Sequence, residues 1–94
     1  MTLPLPEVRE MVEAAARYVG GEIHFSYLVG PTERCVWWSR VYGAHPAIQK
    51  LARDWQLWVD QVWNEWGQHP VKLPESELRR RIASDLGVCG PAVA

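Results

Sequence analysis

The sequence has few of the residues on which most metal, phosphate and disulfide sites depend. It contains two cysteines and three histidines in 94 residues. Two cysteines are too few for a disulfide framework, and the histidines do not stand at zinc-ligand spacing. The glycines form neither a G-x-G-x-x-G loop nor a P-loop. We therefore expect no metal and no cofactor.

Long apolar runs and an excess of one charge are also missing. No stretch reaches the roughly 18 apolar residues of a membrane helix. The N-terminal decapeptide MTLPLPEVRE lacks the basic start and apolar core of a secretory signal. The net charge of −1 produces no field that would attract nucleic acid or an acidic membrane. These features predict a cytoplasmic protein without a membrane segment.

Catalytic side chains are equally scarce. A nucleophilic thiol at Cys35 would need a base and an orienting group, and no oxyanion or elbow motif flanks it. We interpret Cys35 as a buried small apolar residue and Cys89 as a thiol in a loose tail. The three histidines are interpreted as helix-boundary or capping residues: His24, His45 and His69. The sequence thus predicts no enzymatic activity.

The sequence does have the composition of one small globular domain. Hydrophobic residues make up 48% and charged residues 22% of the 94 residues, which is a globular rather than a disordered balance. A chain of this length can bury one modest core. We predict a single domain over 1–94, with 6–87 structured and 88–94 a flexible tail.

Two segments have the helical period of apolar residues. In PLPEVREMVEAAARYVGG, Pro6 suits the first helical turn and Gly20 or Gly21 suits the C-terminal cap. In LPESELRRRIASDLG, Gly87 is expected to end the helix. The apolar face of this last helix consists of Leu78, Ile82 and Leu86.

The longest segment is rich in tryptophan. HPAIQKLARDWQLWVDQVWNEWGQHP places its apolar residues within an arc of roughly 140°. Pro46 is typical of a helix start and Gly67 of a helix end. The stripe comprises Ile48, Leu51, Ala52, Trp55, Trp58, Val59, Val62, Trp63 and Trp66. Leu57 points the opposite way. We predict that this helix is the spine of the domain and that its stripe is the core.

Residues 20–43 leave two structures open. As a helical region, they would form a short turn or helix at 24–29 followed by a helix at 31–42. As strands, they would alternate apolar and polar residues from Ile23 to Val29 and return through a turn at Gly30. We favour the helical interpretation, and with it an all-α bundle of about four helices. The alternative is an α+β fold with a β-hairpin at 22–42 packed on the helices.

Tryptophan is the feature of the sequence that most favours binding. Trp58 and Trp63 lie at opposite edges of the long stripe, and half-covered aromatic residues are frequent hot spots of interfaces. Trp37 and Trp38 are adjacent and cannot face one direction, so we expect one in the core and the other against a partner. The expected charged rim of this surface consists of Asp54, Asp60 and Glu65.

The only basic run is Arg79, Arg80 and Arg81, which could in principle follow nucleic-acid phosphates. Glu75 precedes Arg79 by four residues and Glu77 precedes Arg81 by four, the favourable order for ion pairs on a helix. We therefore interpret the run as a solvated, salt-bridged face in which Arg80 alone lacks a partner. Nucleic-acid binding is the weaker alternative.

The order of elements resembles that of small helical bacterial immunity proteins of the colicin D type. The resemblance rests on the phrases RYVGGEI, HFSYLVG, DWQLWVDQVWNEWG and LPESELRRRIASDLG, and covers residues 8–87 as a pattern of elements. It implies a compact helical bundle that blocks a toxin's active site with an acidic surface. The net charge of −1 departs from that pattern, and no family binding residue can be carried over because no motif aligns.

Taken together, these features predict a small non-enzymatic protein-binding module that acts by occlusion, as an immunity or antitoxin-type inhibitor would. The alternative is a homo-oligomer or a subunit of a larger assembly, whose own copies or neighbours cover the apolar surface.

Overall fold

The computed structural model describes residues 6–64 and 72–89, and all regular structure within them is helical. The elements are α1 (Pro6–Val19), a 3-10 helix (Phe25–Leu28), α2 (Val29–Val41), α3 (Pro46–Trp63) and α4 (Glu75–Cys89). The prediction of an all-α bundle is confirmed, and the hairpin at 22–42 is not formed. None of the helices in these two ranges is both long and apolar enough to cross a membrane.

Two glycines end α1 and α2 in the same way. Gly21 has φ +81° and Gly43 has φ +62°, a left-handed conformation that glycine adopts without steric cost. After α1, the amide of Glu22 donates to the carbonyl of Arg17 at 2.9 Å. After α2, the amide of Ala44 donates to the carbonyl of Ser39 at 2.8 Å. Both ends are Schellman motifs, and the predicted end of α1 is confirmed.

Two histidines cap the helices that follow them. The Nδ1 of His24 accepts the amide of Ser26 at 3.2 Å at the start of the 3-10 helix. The Nδ1 of His45 accepts the amide of Ala47 at 3.0 Å at the start of α3. Each side chain satisfies one of the amides that a helix start leaves free. The capping role predicted for these two residues is confirmed, and His69 lies outside the described residues.

The predicted end of α3 at Gly67 is wrong. The helix ends at Trp63, and the next residue, Asn64, has φ +24°. Asparagine is among the residues that tolerate positive φ best. It can therefore end a helix before the glycine at which the sequence pattern predicts the end. Trp66 and Gly67 lie outside the described residues.

The predicted end of α4 at Gly87 is also wrong, because the helix continues through it to Cys89. Glycine inside a helix costs about 1 kcal/mol relative to alanine, which a packed helix tolerates. The first two residues of the predicted tail, 88 and 89, are therefore helical. Residues 90–94 lie outside the described residues.

The core lies among the four helices, because α2 packs against both α1 and α3, and α1, α3 and α4 each bury one apolar face. Its fully or nearly fully buried apolar members on α1, α3 and α4 are Met11, Ala15, Tyr18, Ala52, Trp55, Val59, Leu78, Ile82 and Leu86. Of the tryptophan stripe, Trp55 is completely buried, Trp58 is half-buried and Trp63 is 44% exposed. The stripe thus contributes Trp55 to the core, while Trp63 is half-covered, as its position at the edge of the stripe predicted. The edge of the stripe is reached by solvent because no described element covers it fully.

Helix α2 packs through small residues. Its buried positions are Thr32, Cys35 and Ser39. The Thr32 hydroxyl donates to the carbonyl of Leu28 at 2.7 Å, and the Ser39 hydroxyl donates to that of Val36 at 3.2 Å. These side chains allow neighbouring helices to approach closely because they are short, and the two hydroxyls can be buried because backbone carbonyls accept their hydrogen bonds. The larger apolar side chains of α2 consequently fall on other faces of the helix.

Candidate protein-binding surface

The outer face and the C-terminal end of α2 carry a cluster of large apolar side chains, which we name the α2 aromatic patch. It consists of Trp37, Trp38, Val41 and Tyr42. Trp37 is 59%, Val41 55% and Tyr42 61% exposed. At 3.6 residues per turn, Trp37 lies directly opposite the buried stripe of small residues. The patch therefore arises because α2 buries its small residues and exposes its large ones.

The second tryptophan of the pair is arranged by its neighbour one turn along. Trp38 and Tyr42 stack with their ring centroids 5.3 Å apart and their planes inclined by 18°. Trp38 is half-buried and is not a member of the core. The prediction that one of the adjacent tryptophans packs in the core is thus wrong, since the buried stripe of α2 is occupied by smaller residues.

The other two predicted tryptophans lie elsewhere. The guanidinium of Arg81 sits over the ring of Trp58 at 5.3 Å from its centroid, which places Trp58 between α3 and α4. Trp63 makes an edge-to-face contact with Phe25, the ring centroids being 5.6 Å apart. Trp63 lies at the far end of α3 from Tyr42, about 25 Å away along the helix axis. The four tryptophans therefore do not form one surface.

The acidic residues expected to form a rim around the tryptophans at the stripe edges are Asp54 and Asp60 of α3 and, after it in the sequence, Glu65. Asp54 forms an ion pair with Lys50 at 2.6 Å, so part of its charge is already compensated. Asp60 is exposed. Glu65 lies outside the described residues. Their role as a binding rim stays a prediction.

Two charged residues that sequence reasoning did not single out flank Trp37. Glu33 and Arg40 are exposed, and neither forms an ion pair with any of the residues that the structure describes. Arg34, on the other side of Trp37, pairs with Glu10 of α1. The spacing of Glu33 and Arg40 around Trp37 was visible in the sequence, but it became informative only once the buried stripe was known.

The basic run on α4 is held by local ion pairs. Arg79 lies 3.9 Å from Glu75, and Arg81 donates to Glu77 at 3.0 Å. The expectation that Arg80 lacks a partner is wrong, because its Nε donates to Glu77 at 3.0 Å. Hydrogen bonds from Arg80 and Arg81 lower the pKa of the Glu77 carboxyl to about 2. One carboxylate thus serves two of the three arginines.

The described residues bring together few of the side chains that catalytic or metal sites use. Cys35 is completely buried, and burial raises the pKa of its thiol to about 11. A thiol with that pKa is protonated at neutral pH and is a poor nucleophile. Within 6–64 and 72–89, no three His, Cys, Asp or Glu side chains come together to hold a metal ion.

No family model, no curated protein and no solved structure matches this chain. The distinctive feature of the described surface is the α2 aromatic patch. It holds three of the six large apolar residues that are prominently exposed in the described ranges: Trp37, Val41 and Tyr42. Tyr27, Leu57 and Trp63 are the others. Single exposed apolar residues are common on soluble proteins, whereas a contiguous group marks a surface suited to binding.

Proposed function

We propose that this protein is a non-enzymatic protein-binding module that contacts its partner through the α2 aromatic patch. The observation that carries the proposal is the exposure of Trp37 and Val41 on the face of α2 opposite its buried residues, next to the exposed C-cap residue Tyr42. Tryptophan and tyrosine are the residue types most enriched among interface hot spots. Because Trp37, Val41 and Tyr42 are exposed, these side chains are not part of the core.

The energetics of the patch favour a partner. Fully burying a large apolar side chain contributes about 1.5–3 kcal/mol, and the patch offers several side chains at once. The stack of Trp38 on Tyr42 holds both rings in place before binding, which lowers the entropy lost on association. The absence of enzymatic activity is part of the proposal, and the buried, protonated thiol of Cys35 supports it.

Two kinds of partner are open to such a module. An immunity-type role, in which the patch occludes a toxin domain, follows from the resemblance in element order alone. Self-association is favoured by a specific observation: Glu33 and Arg40, which flank Trp37, form no ion pair with a described residue. Nucleic-acid binding has less support because each arginine of the basic run has a carboxylate partner. The cytoplasm is the proposed location, on the sequence alone.

Affinity capture tests the proposal. Tagged wild-type chain, Trp37→Ala and Leu57→Ala are each incubated with lysate of the source cells that also contains the untagged chain. Leu57→Ala is the matched control, because Leu57 is an exposed apolar residue of α3, 45% exposed. We expect wild type and Leu57→Ala to retain one defined protein and Trp37→Ala to lose it. Equal retention by all three baits would contradict the proposal.

A further inference from the structure

We infer that the partner of the α2 aromatic patch is a second copy of this chain, bound in an antiparallel two-fold dimer centred on Trp37. The inference rests on the proposed function, that the patch binds protein, and adds the identity of the partner. It is carried by the positions of the charged residues on the same face of α2.

Glu33 and Arg40 are placed almost symmetrically along α2 about Trp37. With a rise of 1.5 Å per residue, Glu33 lies about 6 Å before Trp37 and Arg40 about 4.5 Å after it. With 3.6 residues per turn, both lie about 40–60° to the same side of Trp37. The outer face of α2 therefore has an acid at one end, an aromatic ring near the middle and a base at the other end.

This order is complementary to itself under one symmetry. A two-fold axis perpendicular to α2 and lying in the interface reverses the helix direction but keeps each residue on its own side. It therefore sets Glu33 of each copy beside Arg40 of the other, twice in one dimer, with the two Trp37 rings in contact between them. A parallel pair of helices would instead set Glu33 beside Glu33 and Arg40 beside Arg40.

The other side of the face fits the same arrangement. Val41 and Arg34 lie about 40–60° from Trp37 in the opposite direction. The antiparallel dimer places Val41 of each copy against the aliphatic stem of Arg34 of the other. The guanidinium of Arg34 is already paired with Glu10 of its own chain, so its stem can cover an apolar side chain without leaving a charge uncompensated.

The state of the charges in the single chain favours this pairing. Glu33 and Arg40 have no ion pair with a described residue. They share this state with other exposed residues such as Arg53, but they alone flank Trp37 on the outer face of α2 without such a partner. They do not pair with each other either, and seven residues set them about 10 Å apart along the helix axis. The net charge of −1 adds little repulsion between copies.

The expected dimer is reversible. A contact centred on one helix of 13 residues falls at the small end of specific interfaces, below about 1,200 Å² in total. Its population should therefore rise with protein concentration over the micromolar range.

Sedimentation equilibrium of charge-swapped chains tests the inference. In Glu33→Arg alone, two like positive pairs would form in the dimer, and in Arg40→Glu alone, two like negative pairs would form. We expect each variant to dimerise at least about tenfold more weakly than wild type. Mixed together, the two variants regain both opposite pairs, and we expect a heterodimer about as tight as the wild-type dimer.

Two controls accompany the series. Arg53→Glu reverses an exposed charge of α3 and should leave dimerisation unchanged, while Trp37→Ala should weaken it at least about tenfold. Circular dichroism verifies that all variants remain helical.

Three results would overturn the inference. If the wild-type chain stays monomeric over the whole concentration range, the inference of self-association is wrong. Trp37-dependent capture of another protein would then still support the proposed function. If Trp37→Ala weakens the dimer but the charge swaps do not, the proposed antiparallel arrangement is wrong. If neither Trp37→Ala nor the charge swaps change dimerisation, the patch is not the dimer interface. If capture is also independent of Trp37, the proposed function is wrong as well.

Discussion

The side chain of Trp55 both packs in the core and donates a hydrogen bond. It is completely buried, and its indole Nε1 donates to the Asp85 carboxylate at 2.8 Å. The ring fills space between helices, while the hydrogen bond joins α3 to α4. The sequence predicted the burial from the apolar stripe, but it held no signal for the bond, because Asp85 lies 30 residues away and becomes a neighbour only through packing.

Trp55→Phe should destabilise the protein by about 2–4 kcal/mol, since it removes both buried volume and a hydrogen bond to a charged group. Asp85→Asn should cost about 1 kcal/mol because it keeps an acceptor but loses the charge. Urea unfolding of the two variants and the double variant measures their coupling, which we expect to be at least 0.5 kcal/mol in magnitude. Additive effects would show that the charge of Asp85 adds nothing to the hydrogen bond with Trp55.

Burial of Cys35 makes the stability of the fold depend on pH. Burial raises the pKa of its thiol from 9.0 to about 11. The unfolded chain therefore loses its thiol proton first as the pH rises, so the stability that Cys35 contributes is complete below pH 9 and falls between pH 9 and 11. A shift of two pKa units corresponds to about 2–3 kcal/mol.

Unfolding free energies of wild type and Cys35→Ala, measured from pH 7 to 11, test this prediction. The loss of stability above pH 9 should be larger in wild type by about 2–3 kcal/mol. In a Cys89→Ser background, Ellman's reagent should react with native Cys35 far more slowly than with the unfolded chain. Rapid reaction of the native thiol at neutral pH would contradict the account and would reopen the possibility of a catalytic cysteine.

The starts of α1 and α3 were more predictable than the ends of α3 and α4, whereas α2, predicted at 31–42, begins two residues earlier at Val29. Pro6 and Pro46 begin α1 and α3 as expected, because proline suits the first helical turn wherever the helix packs. The end of α4 was not predictable from Gly87, since glycine is compatible both with a left-handed cap and with the interior of a helix. Only the packing of the following residues decides between the two.

A pair of glycine substitutions distinguishes these two roles. Gly43 has φ +62°, so Gly43→Ala should destabilise the protein by about 1 kcal/mol. Gly87 lies within α4, and an added Cβ meets no atom within 4 Å, so Gly87→Ala should stabilise it by about 0.5 kcal/mol. Thermal or urea unfolding measures both. Destabilisation by Gly87→Ala would restore the left-handed cap that the sequence pattern predicted.

For the molecule as a whole, the class of fold was accessible from the sequence because α1 and α3 each have one clear apolar face. The orientation of α2 was not accessible, because its apolar residues are spread around the helix. Such a helix is usually buried on all sides, yet here the small residues Thr32, Cys35 and Ser39 face inward. That choice depends on how closely the neighbouring helices approach, which is a property of the assembled core.

The candidate surface was therefore only partly predictable. The sequence indicated that one of Trp37 and Trp38 would be exposed, and Trp37 is. It also suggested a second group around Trp58 and Trp63, which packing separates from the patch. Val41 and the flanking charges were missed because their significance depends on the orientation of α2.

Site-specific photo-crosslinking in the source cells tests the central claim, that the α2 aromatic patch is a binding surface, most directly. A photoreactive phenylalanine analogue replaces Trp37 in one chain and Leu57 in the control. The account predicts one defined covalent adduct from position 37 and none from position 57, and the inferred dimer predicts an adduct mass of twice 10.8 kDa. No adduct from position 37, or the same adducts from both positions, would contradict the claim that this surface binds protein.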